Sequence, residues 1–133
     1  MAATAADGRL HVAEASNLAA GAVAKSEVFS APGYQAGSVT SWQDPSGERW
    51  LLAAAGGAAA TGAGFGASNG KVSNGAVVAW KLVESGGALA LRPGWASRDM
   101  LSPLPPIVVN GVVFALSSGE FRGASTASER ARR

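Results

Sequence analysis

Apolar and polar residues alternate along much of this chain with a period of two, the spacing of a strand that has one covered face. Leu10 and Val12 flank His11 just after Asp7-Gly8. Val39 and Ser41 alternate with Thr40 and Trp42, Asp44-Pro45-Ser46-Gly47 supplies a turn, and Arg49 to Ala53 reads as the return strand. Residues 38–54 are therefore expected to form a hairpin with a loop of about four residues. A second hairpin is expected over 75–95. Ala76 to Val83 is rich in the β-branched and aromatic residues that suit strands. Glu84-Ser85-Gly86-Gly87 turns the chain, Ala88 to Arg92 returns it, and Pro93-Gly94 stops the strand. The third hairpin has the strongest signal: Ile107-Val108-Val109, then Asn110-Gly111, then Val112 to Leu116. Asn-Gly accepts positive φ at both central positions of a type I′ turn.

No stretch carries a helical stripe. Ala13 to Ala24 is alanine-rich but interrupted by Gly21, and reads as a loop with one helical turn at most. Residues 53–70 are almost entirely alanine and glycine, and an Ala/Gly-rich loop over 53–73 is expected as a long, mobile connection. A turn residue, a glycine and then alternating apolar positions recur at Gly8, Gly47, Gly75 and Gly111, at intervals of 39, 28 and 36 residues. Propeller blades repeat every roughly 40–50 residues, each a four-stranded sheet. The expected fold class is thus all-β, with antiparallel hairpins forming about two to three blades of an incomplete β-propeller over residues 1–119. Residues 120–133 are expected to be a polar, disordered tail.

Composition narrows the function classes. The chain has 133 residues, 47% hydrophobic and 15% charged, with 18 glycines and no cysteine. That length fits one domain at most. The lack of cysteine excludes a disulfide scaffold, a cysteine nucleophile and a thiolate metal site. No run approaches the roughly 20 apolar residues of a membrane-spanning helix. Within residues 1–119, Arg9, Lys25, Arg49, Lys71, Lys81, Arg92 and Arg98 are balanced by Asp7, Glu14, Glu27, Asp44, Glu48, Glu84 and Asp99. The positive excess lies in the tail, at Arg122, Arg130, Arg132 and Arg133. A nucleic-acid reader carries its basic stripe on the folded body, so no nucleic-acid partner is expected. The opening MAATAADGRL has neither the basic n-region nor the apolar h-region of a signal peptide.

Candidate chemistry is sparse. Gly62-Ala63-Gly64-Phe65-Gly66 with Gly70-Lys71 suggests a phosphate loop, but Phe65 and Val72 break the GxxxxGK[ST] pattern at both ends. No helix is expected after it, as a dinucleotide site requires. His11 is the only histidine, without a second histidine for a metal and without a Gly-x-Ser-x-Gly elbow for a triad. Asp44, Glu48, Glu84 and Asp99 fall beside turns at no spacing that favours a glycosidase pair or a calcium cage. Trp42, Trp50, Trp80 and Trp95 read as packing residues between sheets, each able to bury roughly 150–250 Å². No catalytic residue and no metal ligand is expected, and cofactor-binding residues are unassigned.

The stretch from Ser102-Pro103 through Ile107-Val108-Val109-Asn110-Gly111-Val112-Val113-Phe114-Ala115 to Ser118-Gly119 resembles a blade of the pyrroloquinoline-quinone-like (PQQ-like) β-propellers. Those blades run Ser-Pro, apolar strand, Asn/Asp-Gly, Val-Val-Tyr/Phe-Ala/Val, then a Ser-Gly turn. Asn74 to Lys81 is similar to their Leu-Tyr-Ala-Leu/Trp-Asp strand, and Gly94-Trp95 sits where many blades end in tryptophan. Asp7 to Ala13 looks like another such strand, so the resemblance covers residues 7–13 and 38–119. It departs at Lys81 to Gly87, where Asp-x-x-Thr-Gly is usual, and at Glu120 to Arg133, where further strands would follow. The resemblance implies a fragment of a longer bacterial, quinoprotein-like repeat protein, exported to the periplasm or cell surface. The chain would be a structural or binding (scaffold) module without catalysis of its own, whose partners are the remaining blades or another protein. In the alternative it belongs to a quinone-dependent dehydrogenase whose active site lies elsewhere. PQQ and calcium would then be held only in the full-length parent, with no cofactor in this chain. Bare strand edges in an unclosed ring also lead one to expect self-association of the isolated chain.

Overall fold

The computed structural model describes residues 1–31, 34, 37–58, 62–66 and 69–119. Apart from a 3-10 turn at Leu18–Ala20, its named elements are strands in three open antiparallel sheets. The first sheet has the order β1 (Ala2–Thr4), β2 (Leu10–Ala13), β3 (Ala22–Lys25). The second is a four-stranded meander of β4 (Thr40–Gln43), β5 (Arg49–Gly56), β6 (Gly75–Ser85) and β7 (Ala88–Ala96). The third is a two-stranded hairpin, β8 (Ile107–Val109) and β9 (Val112–Phe114). The all-β class and the three expected hairpins are thus present.

The meander is the middle layer. β5 and β6 pair residue for residue from Arg49 opposite Leu82 to Gly56 opposite Gly75. Every residue from Leu51 to Gly56 and from Gly75 to Trp80 is buried. Such runs lack alternation because both faces are covered. On one face Leu51, Ala53, Ala55, Val78 and Trp80 pack against Leu10, Val12 and Ala24 of the first sheet, with Phe29 from the following connection. On the other face Leu52, Ala54, Val77 and Ala79 are buried in turn. The chain after β7 continues along the edge of β6, where Ser97 N–H donates to Val77 O and Met100 N–H donates to Gly75 O, and then reaches β4, where Thr40 Oγ1 donates to Pro106 O.

Trp80 supplies most of the bulk in the first interface. It is fully buried, and the rings of Phe29 and Phe65 meet it edge-to-face at 5.8 and 4.9 Å. Such pairs favour the positive ring edge against the negative face. Its Nε1–H has no hydrogen-bond partner among the described residues.

Three expectations are corrected. β5 runs past the expected hairpin end at 54 to Gly56, so the Ala/Gly-rich loop expected over 53–73 does not open at 53, because alanine is small enough for two layers to close on one strand. Later in that run Ala63 and Phe65 pack against the core and Val72 is buried, so it is not merely a connection. Positions 59–61 and 67–68 lie outside the described residues, as does the tail from Glu120. Pro93-Gly94 does not stop the second hairpin. β7 runs on to Ala96 through a bulge in which Ala79 faces Trp95 and Trp80 faces Pro93. A bulge is a place where a strand tolerates proline's missing N–H. A Cβ at Gly94 would meet the Trp50 ring at 2.5 Å, so glycine there seats that indole. Finally, Ala13 to Ala24 is more than a loop. After the 3-10 turn, Ala22–Lys25 pairs with β2, His11 facing Lys25, and only Ala24 on that strand is buried.

Trp80→Ala is expected to cost about 3–5 kcal/mol, the range for emptying an aromatic core site. Urea unfolding followed by far-UV circular dichroism measures it; a loss below about 1 kcal/mol would contradict a core role.

Candidate binding surface

The third sheet is held at its base and along one side. Leu104 N–H donates to Leu116 O at 2.9 Å and Ser118 N–H to Ser102 O at 3.1 Å. Ser117 Oγ donates to Leu101 O, and Tyr34 Oη donates to Pro103 O at 2.9 Å. At the tip, Asn110 and Gly111 have φ of 50° and 76°, the type I′ geometry the Asn-Gly pair suggested. The tip lies beside the Trp42 ring, 3.8 Å from where a Gly111 Cβ would stand.

Alternation then sorts the hairpin's side chains. Val108 faces Val113 across the hairpin, and both are half-buried. Ile107 faces Phe114 and Val109 faces Val112, and these four are exposed, with Leu116 beyond them. This leaves an apolar stripe on the side away from the middle layer. The stretch from Leu101 to Gly119 contains no charged residue. Beneath the hairpin is a cleft of about 400 Å³ whose lining includes Val77, Trp95, Val113 and Ala115, with Asn69 and Arg98. Among the described residues, neither a carboxylate nor a histidine lines it.

The candidate polar residues are dispersed. His11 Nε2 lies 3.0 Å from Asp7 Oδ2 on the first sheet, and Lys81 pairs with Glu48. The Lys81 ammonium also stands 5.2 Å from the centre of the Trp50 ring. Asp44 and Asp99 are loop anchors. Asp44 Oδ1 accepts the Ser46 and Glu48 N–H groups and the Ser46 hydroxyl, while its Oδ2 accepts Trp50 Nε1–H at 3.0 Å. Asp99 Oδ1 accepts the N–H groups of Ser73 and Asn74, and its Oδ2 accepts Asn74 Nδ2 at 2.6 Å. It thereby fastens the entry of β6 to the chain leaving β7. The sequence marked both as turn residues; their reach to Trp50 and Asn74 depends on strands meeting in space. Among the described residues, no group of three or more histidines or carboxylates stands close enough to hold a metal. Trp42, Trp50 and Trp95 are half-buried on the hairpin side of the meander, opposite Trp80. In comparisons with protein-family models, curated proteins and solved structures, nothing matches this chain.

Hydrogen bonds from the Asn74 and Ser73 N–H groups hold Asp99 down at about 2, and those from the Ser46 hydroxyl and Trp50 indole do the same for Asp44, against an ordinary 3.8. A lowered folded-state value stabilises the fold above the unfolded value and ceases to as pH falls through the folded one. The melting temperature should therefore hold at neutral pH and drop between about pH 4 and pH 2. Calorimetry of Asp44→Asn/Asp99→Asn should show a lower melting temperature at pH 7 and a flatter acid limb. An unchanged acid limb would contradict the anchoring role.

Proposed function

We propose that the chain is a non-catalytic binding module, a segment of stacked antiparallel sheets of the PQQ-like propeller kind. The carrying observation is the uncharged β8–β9 face, whose inner side closes on the middle layer while its outer side presents Ile107, Val109, Val112 and Phe114 to solvent. A two-stranded sheet with one face covered and one apolar face open is suited to receiving another protein surface. The four-stranded meander, covered on each face by sheets from the chain before and after it, supports the propeller-like reading. So do Gly94-Trp95 at the end of its last strand and the Asn-Gly turn of the hairpin. Export of a longer parent to the periplasm or cell surface belongs to the same proposal and rests on the family resemblance. Among the described residues, no helix is long and apolar enough to cross a membrane.

Thermal unfolding with and without saturating PQQ and calcium tests the non-catalytic reading. A ligand at 100 times its dissociation constant adds about 2.7 kcal/mol to the native state, an easily read rise in melting temperature. No shift is expected with either ligand. A saturable rise would place a cofactor site in this chain and overturn the reading.

A further inference from the structure

We infer that the outer face of β8–β9 is a self-complementary dimer surface, on which the same hairpin of a second copy docks about a two-fold axis. The inference rests on the binding-module reading and names the partner. Five side chains form the face, exposed by 58% at Ile107, 50% at Val109, 55% at Val112, 53% at Phe114 and 68% at Leu116. Together they offer roughly 500 Å² of apolar surface, at the upper end for the largest patch on a monomer. Two such faces pressed together remove about 1,000 Å² from water, the scale of a weak, concentration-dependent interface.

Three observations favour the same hairpin over other occupants. The face has no lysine, glutamate or strand proline to oppose a like surface, and such residues are the usual guards of an open sheet. The outward side of the first sheet carries His11 facing Lys25, with His11 paired to Asp7, so head-to-tail stacking would bury charge against Phe114 and Leu116. The chain's own C-terminal stretch holds a single large apolar residue, Phe121, among arginine, glutamate, serine and threonine, too little to match five apolar side chains. An isologous pairing sets apolar against apolar, with each contact made twice. Val109 and Val112 flank the turn and Ile107 faces Phe114, so the patch is continuous across both strands.

Sedimentation equilibrium of the full chain at tens of micromolar should give a dimer, and Val112→Lys should weaken association at least tenfold with its circular dichroism spectrum unchanged. Because that variant could disturb the hairpin, a second readout uses the absence of native cysteine. With a short bifunctional thiol reagent, Val112→Cys should link into covalent dimers, whereas Leu18→Cys in the exposed 3-10 turn should remain monomeric. A wild-type monomer whose β5 and β6 amides exchange slowly overturns the dimer and leaves the layered module standing. A monomer that floats with phosphatidylcholine vesicles also overturns it, giving the face to lipid. Equal linking of the two cysteine variants refutes the hairpin as the contact. Fast exchange throughout β5 and β6 removes both readings.

Discussion

Burial of β5 and β6 on both faces is the constraint on which the remaining structure depends. A strand with two dry faces needs small or apolar side chains at every position, and Leu51 to Ala55 and Ala76 to Ala79 meet that need. Alanine lets neighbouring layers approach and loses almost no side-chain entropy when buried. Its drawback is low apolar area per residue, so a few large side chains must supply the bulk. Trp80 between Phe29 and Phe65 does so on one side. On the other, Trp42, Trp50 and Trp95 lie half-buried on the hairpin side, and Trp95 lines the cleft beneath the hairpin. Removing Gly94's freedom from a side chain would collide with Trp50, which ties the bulge in β7 to the aromatic layer.

Polar groups are few and are used chiefly to tie loops. Asp99 joins the entry of β6 to the chain leaving β7, and Asp44 ties the β4–β5 turn to Trp50. Ser26, buried, accepts the Leu10 N–H with its hydroxyl and the Arg9 guanidinium with its carbonyl. Two of these bonds satisfy backbone donors, the Asn74 N–H by Asp99 and the Leu10 N–H by Ser26, while others join side chains, as Asp44 does to the Trp50 indole. Carboxylates held this way are acceptors already in use, so their position beside turns reflects folding rather than acid–base chemistry.

The layers differ in how fully they are covered. The first sheet has mixed outer residues, with Lys25 and the Asp7–His11 pair among them. Among the described residues, the middle layer has no free apolar face. The third sheet is apolar on both sides but covered on one, and this asymmetry carries the functional reading. Association is consistent with the low charge of the chain, since nothing between Leu101 and Gly119 repels a second apolar surface.

Local chemistry decided the strands and turns by itself. Asn110-Gly111, Asp44 to Gly47 and Gly86-Gly87 each mark a chain reversal because few residues accept the backbone angles there. The β-branched and aromatic runs on either side of Asn110-Gly111 likewise placed the hairpin strands. Residues 55–56 and 93–94 depart from the local pattern for one reason: alanine, glycine and proline are poor strand formers locally, and only layers pressing from both sides or a bulge opposite Trp80 make them strand. β1 and β3 carried no usable pattern, since their pairing with β2 depends on distant residues. Which side of the β8–β9 hairpin is covered was also beyond local pattern, because Val108 and Val109 are equally apolar. Only packing against the meander turned Val108 inward and left Val109 in water.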